Sequence, residues 1–175
     1  LKNKDQRVAV FIDVQNMYHS AKNLYQSRVN FGEILKTAVA GRKLIRAFAY
    51  VVRTKTGEEK PFFDALTNLG IETRVKDLQE YYGGLKKADW DVGIAVDAIK
   101  TSDSVDAVVI VSGDGDFAPL IEYLQNHGKR VEAMAFGKST SSKIREVADE
   151  FIDLEAPVDK YLLKQKRKWP VPLFH

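Results

Sequence analysis

The stretch DAVVIVSGDGDF, residues 106–117, joins an unbroken apolar run to a turn rich in glycine and aspartate. A second apolar run, VAVFI at 8–12, ends directly in Asp13. Unbroken apolar runs of this length are typical of central parallel strands that are covered on both faces by helices. The two stretches therefore predict neighbouring buried strands, each of which ends in carboxylates.

Outward from these two strands, helices and strands alternate along the chain, which favours an α/β domain with a mostly parallel sheet of five or six strands. At 91–100, Val92, Ala95, Val96 and Ile99 recur at helical spacing. The predicted strands are 8–12, 44–52, 71–75, 106–111, 131–136 and 151–154. The predicted helices are 17–27, 31–40, 60–69, 91–100, 117–127 and 142–150.

The composition limits the class of protein. The chain has 175 residues and no cysteine, so disulfide scaffolds, thiolate zinc sites and thiol nucleophiles are excluded. We expect an intracellular, cytoplasmic protein without a membrane span, because no apolar run approaches the roughly 20 residues that a span needs. The net charge of +3 is too small to indicate a polyanionic partner by itself.

One domain is expected over residues 1–157, and residues 158–175 form a basic C-terminal tail with five lysine or arginine side chains. Two interpretations of the tail stay open, an arm that contacts nucleic acid and a solvated end. Phe62 and Phe63, adjacent on one short helix, cannot both face the same core, and they suggest a contact surface and a homodimer.

Acidic residues follow both buried strands at the end where parallel sheets bind ligands. Asp13 follows the first strand, Asp114 and Asp116 follow the second, and Asp91 begins the helix that leads into it. If these carboxylates converge, their mutual repulsion requires a compensating cation. Oxygen ligands suit Mg²⁺ or Mn²⁺ better than softer metals, so we expect one of these ions.

Each acid also has a simpler structural explanation. Asp13 can end a strand as a helix cap, Asp114 and Asp116 can form a turn, and Asp91 can complement a helix dipole. Asn16 is expected either to cap the first helix or to orient a metal-bound water. Gly113 and Gly115 permit a tight turn, with positive φ values allowed, that aims the neighbouring carboxylates inward.

The sequence resembles the NYN-domain family, specifically its LabA-like branch within the PIN-like nuclease superfamily. Four segments carry the resemblance: FIDVQN at 11–16, KKADWDVGIAVDAI at 86–99, VSGDGDFAPLIEYLQNHGKRVEAMAF at 111–136 and, more weakly, ADEFIDL at 148–154. The resemblance implies a Rossmann-like, PIN-like three-layer sandwich and metal-dependent RNA cleavage. It also assigns Asp13, with Asn16 beside it, Asp91, Asp97, Asp114 and Asp116 to the catalytic and metal-binding set.

Cleavage of RNA would require phosphate contacts around so acidic a site. The candidates are Ser112, Arg53, Lys86, Lys87, Lys138 and Lys143, together with Lys55 and Arg145. Tyr81 and Tyr82 are candidates for stacking on unpaired bases. Single-stranded RNA is favoured as substrate, because no long basic face or docking helix is evident.

Other functions fit the sequence less well than a nuclease. GDGD after a buried strand is similar to the acidic loop of haloacid-dehalogenase-like phosphatases, but Gln15 stands where their second nucleophile-motif aspartate is required. The first strand is followed by DVQN rather than a glycine-rich turn, which argues against a dinucleotide-binding domain, and the order of motifs does not fit a receiver domain. A non-catalytic RNA-binding or regulatory module with the same fold remains an alternative.

Overall fold

The structure, a computed structural model, describes residues 2–80, 82 and 86–163, without the side chains of Glu80, Lys86 and Lys87. The predicted basic tail beyond residue 163 and Tyr81 lie outside the described residues. Within the described residues, every helix is too short or too polar to cross a membrane.

Six parallel strands form the central sheet, in the order β4-β3-β1-β7-β8-β9. Counted along the sheet strands alone this is the order 3-2-1-4-5-6, a doubly wound fold whose direction reverses between β1 and β7. The prediction of an α/β sandwich with a mostly parallel sheet is confirmed. The strands are β1 (Arg7–Asp13), β2 (Arg28–Val29), β3 (Lys43–Arg53), β4 (Glu72–Asp77), β5 (Gln79–Glu80), β6 (Lys86–Lys87), β7 (Ala107–Val111), β8 (Arg130–Ala135), β9 (Glu150–Asp153) and β10 (Leu162–Leu163).

Helices cover both faces of the sheet. They are α1 (Val14–Tyr25), α2 (Phe31–Val39), α3 (Lys60–Asn68), α4 (Asp91–Ser102), α5 (Ala118–Asn126) and α6 (Ser142–Val147). Helices α1–α3 pack on one face and α4–α6 on the other, each with its own apolar core. Side chains of β1 alternate between the two cores, with Val10 on the first and Phe11 on the second. This explains why the sequence of β1 is apolar without interruption.

Charged residues near the N-terminal ends of the parallel strands are held in ion pairs. Arg42 donates to both carboxylate oxygens of the fully buried Glu132, at 2.8 and 2.9 Å. Arg130 connects Glu132 to Glu150 at 2.9 Å from each. These guanidinium groups hold the pKa of Glu132 below its usual value despite the opposing effect of burial. These charged side chains are therefore already paired with one another.

The chain continues to pack beyond Pro157. Strand β10 pairs antiparallel with β2, and the buried Tyr161 exchanges a hydrogen bond with the Thr37 hydroxyl at 3.1 Å. Residues 158–163 therefore lie against the domain. The division of the chain at residue 157 remains a prediction. Phe62 and Phe63 are both partly buried against the core, so the structure lends their proposed contact surface no support.

Helix α4 presents its apolar stripe outward. Its buried residues are Ile94, Ala98, Thr101 and Ser102, whereas Val92 is 75% exposed and Ile99 38% exposed. The sequence predicts this helix from the spacing of Val92, Ala95, Val96 and Ile99. The periodicity located the helix, but three of the four residues that define it, Val92, Val96 and Ile99, are exposed, and only Ala95 packs against the core.

Candidate metal centre

Asp13 ends β1 and is also the N-cap of α1. Its Oδ1 accepts a hydrogen bond from the Asn16 amide at 3.2 Å, and its Oδ2 accepts one from the Ser112 hydroxyl at 3.0 Å. The residue is buried, with 8% of its surface exposed. Burial raises the pKa of Asp13 to about 6, and the charges of Asp91 and Asp114 add to the rise, while the two hydrogen bonds oppose it. Asp13 therefore caps a helix and also lies in the field of the other acids.

Three further carboxylates form a tight group beside the switch point of the sheet. Asp91, Asp114 and Asp116 each offer an oxygen, and these oxygens lie within 4.8 Å of one another. Partial burial raises the pKa of Asp91 to about 6, and the negative charges of Asp114, Asp89 and Asp116 add to the rise. Within the described part of the chain, the ion pairs lie elsewhere. Like charges that have no ion-pair partner among the described side chains fit a hard divalent ion.

Hydrogen bonds across the switch point join the end of β1 to the turn after β7. The Asn16 carboxamide accepts from the Gly113 amide at 3.0 Å, and the Ser112 hydroxyl accepts from the Asp114 amide at 3.2 Å. Asn16 was expected to cap α1 or to orient a water. Asp13 caps that helix, and the Asn16 side chain holds the turn that carries Asp114. Orientation of a metal-bound water by Asn16 remains a prediction.

Gly113 and Gly115 serve close packing rather than positive φ. Neither residue is among the glycines with positive φ, so the turn does not use the positive φ values that glycine would allow. A Cβ on Gly115 would lie 2.6 Å from Ser141 Oγ, and one on Gly113 would lie 2.9 Å from Thr140 Oγ1. The loop before α6 thus presses on the acidic turn, and the Ser141 amide donates to the Gly113 carbonyl at 2.9 Å.

The structure does not bring Asp97 into the group of three. Its Oδ2 accepts from the Tyr50 hydroxyl at 2.9 Å and lies 3.5 Å from Arg74 Nε. The position of Asp97 on α4, six residues after Asp91, turns it towards β3 and β4. Its contacts link the helix that begins with Asp91 to the sheet.

The predicted phosphate contacts differ in their surroundings. Arg53 pairs with Asp77 at 2.8 Å, and Lys138 lies 3.8 Å from Glu155, so both already have acidic partners. Lys143 is exposed, and its Cδ lies 3.7 Å from the point that a Cβ on Gly115 would occupy, which places it beside the acidic turn. Tyr82 is fully exposed. The side chains of Lys86 and Lys87 lie outside the described residues.

Lys76, at the end of edge strand β4, is a site residue that the sequence did not reveal. Its ammonium group donates to the Asp89 carbonyl at 2.7 Å and lies 4.4 Å from the centroid of the Trp90 ring. Its charge lowers the pKa of Asp91, against the other effects there. A lysine in a polar strand at the side of the sheet carries no periodic signal. Only the parallel pairing of β4 with β3 brings Lys76 to the end of the sheet where the acids lie.

Comparisons with known proteins agree with this fold. The sequence is 27% identical to the Low amplitude and bright protein LabA of Synechococcus elongatus, over 94% of this chain and 91% of that protein. The structure is similar to the crystal structure of a protein of unknown function from Vibrio parahaemolyticus, with a TM-score of 0.83 and 31% identity. That match covers 93% of this chain and 99% of the other. A sequence profile of the NYN domain matches residues 7–155, and the chain accordingly belongs to the NYN domain family.

Proposed function

We propose that the protein is a metal-dependent ribonuclease that cleaves phosphodiester bonds of single-stranded RNA. The observation that carries the proposal is the group of Asp91, Asp114 and Asp116, whose oxygens lie within 4.8 Å of one another. The group lies where the sheet reverses direction, which is where doubly wound folds bind their ligands. Membership of the NYN family supports the same function.

The three carboxylates would hold Mg²⁺ or Mn²⁺, because their oxygen donors suit hard divalent ions. Such an ion, when bound, makes a coordinated water more acidic and offsets negative charge on a phosphate. Asp13 contributes from behind the group. The Asp13 carboxylate accepts a hydrogen bond from the Ser112 hydroxyl, and this hydroxyl accepts one from the Asp114 amide. Asp13 thereby helps to fix the direction of the acidic turn.

Cations beside the acids support a polyanionic substrate. Lys76 lies on the β4 side of the group, near Asp91, and Lys143 lies on the α6 side, next to Gly115. They are separate charges on two flanks and do not form a continuous basic face in the part of the chain that the structure describes. Separate cations suit a flexible single strand better than the regular backbone of a duplex.

A second candidate, a non-catalytic RNA-binding or regulatory module, rests on Asp13. This carboxylate is already held by two hydrogen bonds and does not belong to the group of three. The remaining carboxylates can bind an ion without arranging it for cleavage. Both candidates share the fold and the acids, so activity must separate them.

The cytoplasmic location and the homodimer stay predictions.

Cleavage of a labelled single-stranded RNA in Mg²⁺ or Mn²⁺ separates the two candidates. The parent protein should cleave, Asp114→Asn should lose the activity, and chelation with EDTA should abolish it. Asp106→Asn is a matched control, because Asp106 lies at the opposite edge of the sheet in an ion pair with Arg7 at 2.9 Å. No metal-dependent cleavage of diverse RNAs would favour the module, and activity that survives in Asp114→Asn would overturn the assignment.

A further inference from the structure

The exposed stripe of α4 borders a groove that begins at the acidic group. The groove has a volume of about 380 Å³ and runs between α4 and α5. Asp91 and Asp116, two of the three clustered acids, line it at one end. From Asp91 to Ile99 the helix advances about 12 Å at 1.5 Å per residue. The groove is therefore continuous with the candidate metal centre and extends well beyond it.

The rest of the groove is apolar. Val92, Ala95 and Ile99 line it from α4, and Pro119 and Tyr123 line it from α5. The buried side chains of Phe117 and Leu120 contribute to the same surface.

Tyr123 is 43% exposed, and its ring is held in place by His127. The two rings stack with centroids 4.2 Å apart, and the His127 Nδ1 lies 2.8 Å from the Tyr123 carbonyl. A ring fixed in this way loses little conformational entropy when another flat group packs against it.

We propose that this groove is a nucleobase-binding subsite, which takes an unpaired base of the RNA strand whose phosphate lies at the acidic group. The inference rests on the proposed function. A groove that is lined by apolar and aromatic side chains, with acids only at its mouth, suits the face of a base and repels a phosphate. Stacking on an aromatic side chain tolerates any base, because every base has a π-face.

Continuity with the acids favours RNA over a protein as the occupant. Asp91 and Asp116 belong both to the groove and to the candidate metal centre. A protein seated in the groove would cover the mouth of the centre, whereas a strand that enters the centre must leave across a neighbouring surface. The exposed stripe of α4 is such a surface, because Val92 and Ile99 line the same groove as the two acids.

The test compares a short fluorescein-labelled single-stranded RNA with an otherwise identical strand that contains abasic positions. Binding is measured by fluorescence anisotropy in Ca²⁺ for the parent, Tyr123→Ser and Ile99→Ser. Ile45→Ser is the matched control, since Ile45 is 43% exposed near the start of β3, at the other edge of the sheet. Equal melting temperatures establish that the variants are folded.

We expect Tyr123→Ser and Ile99→Ser to bind the RNA at least about fivefold more weakly than the parent, as loss of one stacked base requires. Neither variant should differ from the parent on the abasic strand, and Ile45→Ser should bind both strands as the parent does. Unchanged RNA affinity, or an equal loss on both strands, would overturn the subsite. Failure of the parent to bind or cleave any RNA would instead overturn the proposed function and the subsite together.

Sedimentation of the parent and Tyr123→Ser adds an independent outcome. We expect both proteins to sediment identically. If the parent is a dimer that Tyr123→Ser dissociates, the groove is an interface between copies of this chain, and the nucleobase subsite is wrong.

Discussion

Replacement of Asp114 by asparagine should make the metal-free protein more stable while it abolishes cleavage. One carboxylate oxygen from each of Asp114, Asp91 and Asp116 lies within 4.8 Å of the others. At that distance two unit charges repel by about 1 kcal/mol in water and by about 3.5 kcal/mol at an effective dielectric of about 20. The Asp114 side chain also accepts from the Asp116 amide at 2.9 Å. Asparagine keeps this capping bond and removes the charge.

Because salt screens part of the repulsion, we expect a gain of about 1 kcal/mol, or roughly 2–4 °C in Tm for a chain of this size. Thermal unfolding in EDTA measures the gain. Added Mn²⁺ should raise the Tm of the parent and leave that of Asp114→Asn nearly unchanged, since only the parent binds the ion tightly.

Asp106→Asn provides the opposite control. The Arg7 guanidinium lowers the pKa of Asp106 to about 2, and the pair is exposed. Its loss should cost at most about 1 kcal/mol and should not affect cleavage. A fall in the Tm of metal-free Asp114→Asn would refute the reasoning, because Asp114 would then be a stabilising turn residue rather than a functional acid.

Three further predictions concern the acidic turn, the ion-pair network at the opposite end of the sheet, and Asp13. Gly115→Ala should destabilise the protein by about 1–3 kcal/mol and impair cleavage, because its Cβ would lie 2.6 Å from Ser141 Oγ. The double variant with Ser141→Gly should recover stability and cleavage. Failure to recover them would point to another cause. Arg42→Met leaves the buried Glu132 without its bidentate partner, so urea denaturation should show that the free energy of unfolding falls by about 3 kcal/mol. Cleavage should be retained below the melting temperature. A loss of cleavage in the folded variant would contradict this. Burial raises the pKa of Asp13 from 3.8 to about 6, so its contribution to the free energy of unfolding is present at low pH and is lost as the pH rises through about 6. Urea denaturation in EDTA should show the parent losing about 2–3 kcal/mol relative to Asp13→Asn between about pH 4 and about pH 7, and parallel pH profiles would refute the assignment.

The sheet could be predicted from the sequence because its central strands are buried on both faces. VAVFI at 8–12 and the apolar run at 106–111 contribute side chains to two cores, so neither strand has a polar side to confuse the pattern. The positions of Asp13 and Asp114 followed from the same feature, since a residue just after such a strand lies at the carboxyl end of the sheet.

The orientation of α4 could not be predicted from its stripe. Periodicity shows that apolar residues share a face, but the packing partner decides which face is buried. Here Gly93 lies under the Trp90 ring, and Ile94 and Ala98 face the sheet. The larger Val92 is left outside.

Contacts between distant segments account for the other differences. Asp97 meets Tyr50 and Arg74, which come from two strands far away along the chain. Gly115 is constrained by Ser141 rather than by its own φ. These contacts depend on the tertiary arrangement, and no local spacing encodes them.

Anomalous scattering from a crystal soaked in Mn²⁺ tests the central claim most directly. An ion between the carboxylates of Asp91, Asp114 and Asp116, absent from crystals of Asp114→Asn, is the predicted result. Crystals of the parent that show no manganese at this group, with the three carboxylates paired to lysine or arginine instead, would contradict the account.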